Sequence, residues 1–243
     1  MNYFQMIYQA MKKSRAISAD SPLVEMTPGL EYAGKLIESV GGESHVPHLP
    51  LNIDVSGMLV LVAGGGVVAG RKISSLLDAG ATVHVVAPEI TPEIGRLAAA
   101  GTIKLKGECY QVSDLTDIFL VVAATNDPQT NRRIAADARQ RGVLVAVTDA
   151  PESGNCTFPA LLRRGDLEIS VSTNGKCPGY AAEIRDLLAG VFGEEYGEIL
   201  ATLSAEREKL LTEGRPSTYN KQVLRSRARE LLNELAEHKE RVP

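Results

Sequence analysis

Residues 58–72, MLVLVAGGGVVAGRK, decide how the rest of the chain is read. The run 58–63 is apolar without alternation, the mark of a strand covered on both faces. Three glycines follow, and VVAGRKISSLLDAG then shows helical spacing with a stop at Gly80. Gly64, Gly66 and Ala69 stand in a GxGxxA arrangement. Gly64 allows the tight turn out of the strand, Gly66 lets a pyrophosphate approach the backbone, and Ala69 lets the helix pack on the sheet. The helix start presents unpaired N–H groups and a positive dipole end to phosphates. A tight structural turn is the other reading. The place of this turn, after a strand and opening a helix in the first βαβ unit, favours dinucleotide binding.

Outward from the turn, strands and helices alternate. TVHVVAP (82–88) reads as a strand closed by Pro88. TPEIGRLAAAG (91–101) reads as a helix with Thr91 as N-cap, Pro92 at its first position and Gly101 at its end. TIKLK (102–106), DIFLVVAAT (117–125) and VLVAVTD (143–149) read as strands, with DPQTNRRIAADARQRG as a helix between the last two. This rhythm predicts an α/β fold, a Rossmann-like doubly wound parallel sheet. After Asp149 it changes. TFPALLRRGDLEISVSTNG (157–175) holds two extended runs joined by RRGD, a hairpin, and from Pro178 onward the spacing is helical. The expected organisation is an N-terminal extension over 1–45 with one candidate amphipathic helix near 29–40, a Rossmann domain over 46–150, a small α+β region over 151–192 and a helical region over 193–243.

Composition bounds the function. The chain has 243 residues, no Trp, 5% aromatic residues and a net charge of −4. An aliphatic core suits a parallel sheet, and the acidic balance argues against nucleic acid as the main partner. Cys109, Cys156 and Cys177 form no CxxC pair, as in a reducing cytosol. No apolar run reaches the ~18 residues of a membrane span. The N-terminus has its basic pair after the apolar stretch, unlike a signal peptide. The expectation is a cytoplasmic protein without membrane or nucleic-acid partners.

Candidate cofactor contacts are Gly64, Gly65, Gly66, Val67, Val68 and Ala69 at the turn, Pro88 and Glu89 after the second strand, and Ala124 and Thr125 at the end of the fourth. No acid ends the second strand itself; Glu89 is the nearest carboxylate to the ribose hydroxyls. With no Arg there for a 2′-phosphate, NAD is favoured over NADP. Asn126 and Asp127 also read as caps of the following helix. His84, inside an apolar strand, reads as a satisfied core residue.

The linked stretches LPLNIDVSGMLVLVAGGGVVAGRK, AGATVHVVAPE, VVAATNDPQTN and VAVTDAPESGNCTFPALLRRGDLEISVSTNGKCP resemble the precorrin-2 dehydrogenase/sirohydrochlorin ferrochelatase family, also the N-terminal module of bifunctional siroheme synthase. The likeness covers roughly residues 47–190. It implies a Rossmann domain, a homodimer with exchanged strands in the region after it, NAD-dependent oxidation of precorrin-2 to sirohydrochlorin and, in some members, Fe²⁺ insertion. It also implies that Asp149, which matches the family's strand-end Asp, is the catalytic residue. A carboxylate at that sheet edge is placed to take a proton while a hydride goes to nicotinamide. The polycarboxylate substrate calls for basic and polar contacts, for which Arg163, Arg164, Asn174, Lys176 and Arg185 are the candidates. Three positions depart from the family pattern: Ala146 stands for an Asn, Asn174 for a Gly and Cys177 for a Ser. The last two, in one loop, bear on iron insertion more than on dehydrogenation. A non-catalytic NAD-sensing module is the alternative from another class.

Overall fold

The computed structural model describes residues 48–212 and 217–241. The extension expected over 1–45, with its candidate helix, lies outside the described residues. Two compact units are present: one holds 48–158 with Asn174–Lys176, the other Pro159–Thr173 with the chain from Cys177 on.

The first unit is a parallel sheet of β1 (Leu59–Ala63), β2 (Thr82–Val86), β3 (Ile103–Gly107), β4 (Leu120–Ala123) and β5 (Leu144–Val147), in spatial order β3-β2-β1-β4-β5. Parallel strands need crossovers, supplied here by α1 (Val67–Asp78), α2 (Pro92–Ala99) and α3 (Pro128–Gln140). Successive side chains of a strand point to opposite faces, so one apolar run feeds two cores. Val60, Val62, Val83, Val85 and Val122 pack on one face with Ala69, Ile73 and Ile94 of α1 and α2. Leu61, Ala63, Val121, Ala123 and Val145 pack on the other with Ile134, Ala135 and Ala138 of α3. The doubly wound reading of the sequence is therefore the observed architecture.

Boundaries moved where local chemistry intervened. The helix expected over 91–101 stops at Ala99, and Gly101 takes φ 74° beyond it. Thr91 caps its start, its Oγ1 accepting from the Ile94 N–H at 3.5 Å. The strand expected over 117–125 is only 120–123: Asp117 sits at φ 62° in a turn before it, and the Thr125 backbone is diverted to a side chain after it. His84 is half-buried, not a core residue, because β2 turns it toward Lys104 and Lys106 near the β3 edge. Burial first, then those two lysines, hold its pKa below the ordinary imidazole range.

The two sheet edges are protected differently. On β3, Lys104 and Lys106 place charge on the exposed strand, which disfavours pairing with another chain. On β5, the loop after residues 151–153 takes the place of a sixth strand. Asn155 Oδ1 accepts from the Val145 N–H at 2.7 Å, its Nδ2 donates to Val143 O at 3.3 Å, and its own N–H donates to Val145 O at 2.9 Å.

In the second unit β6 (Ala160–Arg164) and β7 (Leu167–Val171) form the expected antiparallel hairpin, turning at Gly165 with φ 56°. Arg163 meets Glu168 across the strands at 2.7 Å. The helices are α4 (Pro178–Val191), α5 (Glu195–Thr212) and α6 (Ser217–Arg241). Arg164 Nε donates to Phe192 O at 2.7 Å, and Nη2 reaches Ala189 O at 3.4 Å, so this guanidinium closes the C-terminal end of α4. Arg227 of α6 bonds Glu206 of α5 at 3.2 Å. No helix among the described residues is long and apolar enough to cross a membrane.

The Asn155 staple yields a stability prediction. Asn155→Ala leaves the Val145 N–H without its partner and should cost about 1–3 kcal/mol in denaturant unfolding. A loss within experimental error would show that the loop backbone alone seals the β5 edge.

Candidate functional site

The glycine turn is shaped by close backbone approach. Gly64 takes φ 129°, and a Cβ there would overlap the Ala124 carbonyl at the end of β4; a Cβ on Gly65 would overlap the Glu89 carbonyl beyond β2. Gly64 N–H donates to Val86 O at 2.9 Å, and Thr91 N–H to Gly65 O at 2.9 Å. Gly64 and Gly65 are thus required by the protein's own packing. Gly66 is different: a Cβ there would meet nothing within 4 Å. Its small size serves no contact inside the fold, which fits a place kept clear for a ligand.

α1 opens at Gly66 with no side-chain cap, whereas α2 and α3 are capped by Thr91 and Asp127. Its first N–H groups and dipole end stay available to an anion. The adjoining cleft has a volume of about 680 Å³, in the range of cofactor pockets. Gly64, Gly65, Gly66, Pro88, Glu89, Ala124 and Thr125 line it, as the sequence suggested for the cofactor. Val67 and Val68 lie outside the lining, 63% and 47% exposed at the helix start, and Ala69 is fully buried against the sheet.

Sequence reasoning missed the far wall of this cleft: Glu108, Cys109 and Tyr110 after β3, and Thr130 and Arg133 on α3. The Tyr110 hydroxyl donates to Asp137 Oδ2 at 3.0 Å, and the Arg133 guanidinium lies 5.3 Å from the centre of its ring. Burial, then the bond to Asp137, pushes the Tyr110 pKa well up, so the phenol stays protonated. No periodicity marked GECYQV; only the folding of β3 beside β2 carries it to the cleft.

Asp149 follows β5 and is exposed. Its Oδ1 accepts from Asn131 Nδ2 at 2.9 Å. Asn131 is 0% exposed, and its remaining bonds all go to Thr125: Oδ1 accepts from Thr125 N–H at 3.1 Å and Oγ1 at 2.7 Å, and Nδ2 donates to Thr125 O at 3.1 Å. Asp149 is not among the cleft-lining residues; one hydrogen-bonded side chain joins it to Thr125, which is. Asp127 caps α3 through Gln129 N and Thr130 N, the capping role the sequence allowed it. Asn131 itself could have been noticed as a polar residue on the apolar stripe of α3, with Ile134, Ala135 and Ala138.

The other candidates are dispersed. Asn174 and Lys176 belong to the same unit as Asp149, and the intervening Gly175, at φ 79°, lies so close to Pro151 that a Cβ would strike it. Arg163, Arg164 and Arg185 belong to the other unit, where Arg163 pairs with Glu168, Arg164 holds the end of α4, and Arg185 pairs with Asp186 at 2.6 Å. Among the described residues no group of three or more His, Cys, Asp or Glu is arranged to hold a metal ion; Cys177 is exposed at the start of α4.

Comparison with known proteins agrees with this geometry. Residues 51–160 match a family described as putative NAD(P)-binding, and residues 164–190 match the sirohaem biosynthesis protein central family. The chain is 40% identical over 163 residues to a siroheme synthase of Pseudomonas putida (strain W619), covering 67% of this chain and 35% of that protein. A siroheme synthase of Ectopseudomonas mendocina (strain ymp) is 44% identical over 151 residues, covering 62% of this chain and 32% of that protein. The chain thus spans about a third of the length of the curated relatives it matches. A solved structure titled SirC, precorrin-2 dehydrogenase, superposes with TM-score 0.64 at 27% identity, over 78% of this chain and 99% of that one. Over its glycine-turn domain and the segment after it, this chain is thus similar to siroheme synthases and to a precorrin-2 dehydrogenase.

Proposed function

We propose that this chain is an NAD-dependent precorrin-2 dehydrogenase, which oxidises precorrin-2 to sirohydrochlorin in siroheme biosynthesis. The observation that carries the proposal is Asp149, an exposed carboxylate held at the end of β5 and linked through Asn131 to the wall of the glycine-turn cleft. The cleft residues fit a dinucleotide. Gly66 and the uncapped start of α1 would receive the pyrophosphate, and Glu89 stands where ribose hydroxyls are met.

When bound, NAD supplies a hydride acceptor. The two hydrogens removed from the tetrapyrrole leave as a hydride and a proton, and the protein must accept the proton. Asp149 Oδ1 is already engaged by Asn131, while Oδ2 carries no hydrogen bond among the described residues and can take it. Lys176 and Asn174, beside the 151–153 turn, would meet substrate carboxylates. In the second unit the hairpin has unpaired outer edges among the described residues, and a two-stranded sheet is marginal alone. A homodimer completed by strands of a second copy is the assembly this favours.

Four outcomes test this reading. Asp149→Ala should lower the rate of sirohydrochlorin formation, followed by absorbance, about a hundredfold or more, while NAD affinity stays within about threefold; undiminished turnover would remove Asp149 from the chemistry, as a non-catalytic NAD sensor requires. Gly66→Asp should raise the NAD dissociation constant by orders of magnitude with the melting temperature nearly unchanged, since its side chain meets only the ligand space. Gly65→Ala should instead lower the melting temperature, because its Cβ strikes the Glu89 carbonyl; equal behaviour of the two variants would contradict the division between packing and ligand glycines. Sedimentation should give about twice the monomer mass, and a stable monomer would refute the dimer.

A further inference from the structure

We infer that Asn131 is a positioning residue for this reaction, acting through Asp149; the inference rests on Asp149 being the proton acceptor. Residue 131 lies on the buried stripe of α3, with Ile134, Ala135 and Ala138, where an aliphatic side chain would pack without loss of hydration. A carboxamide there is tolerated only when its polar atoms are satisfied. It has two N–H donors and one oxygen with two lone pairs, and all four are used, three on Thr125 and the fourth on Asp149.

The fourth bond is the informative one. Thr125 sits where β4 ends, and its backbone N–H and C=O would otherwise lack partners, so bonds to them are explained by folding alone. Asp149 is exposed, and water could solvate it. The bond satisfies the buried Asn131 N–H, whereas the exposed carboxylate needed no protein partner for itself. What the bond does for that carboxylate is fix one rotamer.

Beyond the last strand pair, Ala123 with Val147, the only backbone link between these ends is Thr148 N–H to Ala123 O at 3.0 Å. The carboxamide of Asn131 spans the gap that then opens. It ties the β4 end, which lines the cleft, to the carboxylate at the β5 end. Oδ1 is thereby held inward and Oδ2 is presented outward, with the carboxylate fixed relative to whatever the cleft binds. A proton acceptor held in one geometry relative to its reaction partner loses less entropy on reaching the transition state.

The test is Asn131→Asp in the full chain. This variant is nearly isosteric and keeps an acceptor for the Thr125 N–H, but it removes the donors to Thr125 O and to Asp149 and sets a repelling charge beside the carboxylate, so the Asp149→Ala background is needed to separate the two losses. The expected result is a fall in kcat for precorrin-2 oxidation of roughly tenfold or more, with KM and the NAD dissociation constant changing little and the melting temperature lowered by the buried charge. In an Asp149→Ala background the same substitution should alter the residual rate by less than about twofold, since residues that act as a unit are non-additive. Unchanged kcat would overturn the inference while leaving Asp149 in place, provided Asp149→Ala is itself strongly impaired. An equal loss in both backgrounds, or a rise in NAD dissociation constant matching the loss in kcat, would show that Asn131 only builds the cleft. If Asn131→Asp does not fold, Asn131→Ser, smaller and uncharged, takes its place with the same readouts. Full turnover by Asp149→Ala is a separate outcome, and it would sink the parent reading.

Discussion

Three backbones meet at the carboxyl edge of the sheet with no room for a methyl group between them. Gly64 lies against the Ala124 carbonyl and Gly65 against the Glu89 carbonyl, so the ends of β1, β4 and β2 are held together by main chain alone. This contact fixes where α1 begins, and with it the direction of the helix's unpaired N–H groups. It also sets the floor of the cleft between the glycine turn and the strand ends. The third glycine is released from that duty, and the resulting space is where a pyrophosphate would come.

The carboxylate proposed as proton acceptor stands on the same edge, at the end of β5. β4 and β5 stay in register through Ala123 and Val147 and then part. Asn131 stands under the divergence, and its carboxamide replaces the lost ladder with side-chain bonds to Thr125 and Asp149. A polar residue in an aliphatic stripe thus does for the strand ends what a further backbone pair would do in a longer sheet. In doing so it leaves one oxygen of Asp149 outward. The proposed binding elements at the β1–β2 side and the proposed base at the β5 side stand on one sheet edge, where open α/β sheets bring ligand and catalytic group together.

The second unit follows a different logic. Its hairpin is held by the cross-strand pair Arg163–Glu168 and by Arg164 on the carbonyls at the end of α4. Arginines that read in sequence as anion receptors have protein partners here, because a guanidinium near a helix C-terminus finds oriented carbonyl dipoles at short range. Lys176 and Asn174, about ten positions along the chain from them, fall instead with the Asp149 unit, where Gly175 approaches Pro151.

Sequence alone determined the architecture, because its signals are local and repeated: unbroken apolar runs, helical spacing between them, Thr91 and Pro92 at a helix start, and a glycine turn after the first strand. Strand-end position likewise singled out Asp149. What it left undetermined are contacts between residues far apart in the chain. Nothing in VVAATNDPQTN says that Asn131 will reach Asp149, eighteen positions on, and nothing in GECYQV says that Tyr110 will face the glycine turn. Those juxtapositions follow from strand order, which places β5 beside β4 and β3 beside β2. Strand order is set by packing two apolar layers at once, a property of the folded sheet that no single segment carries.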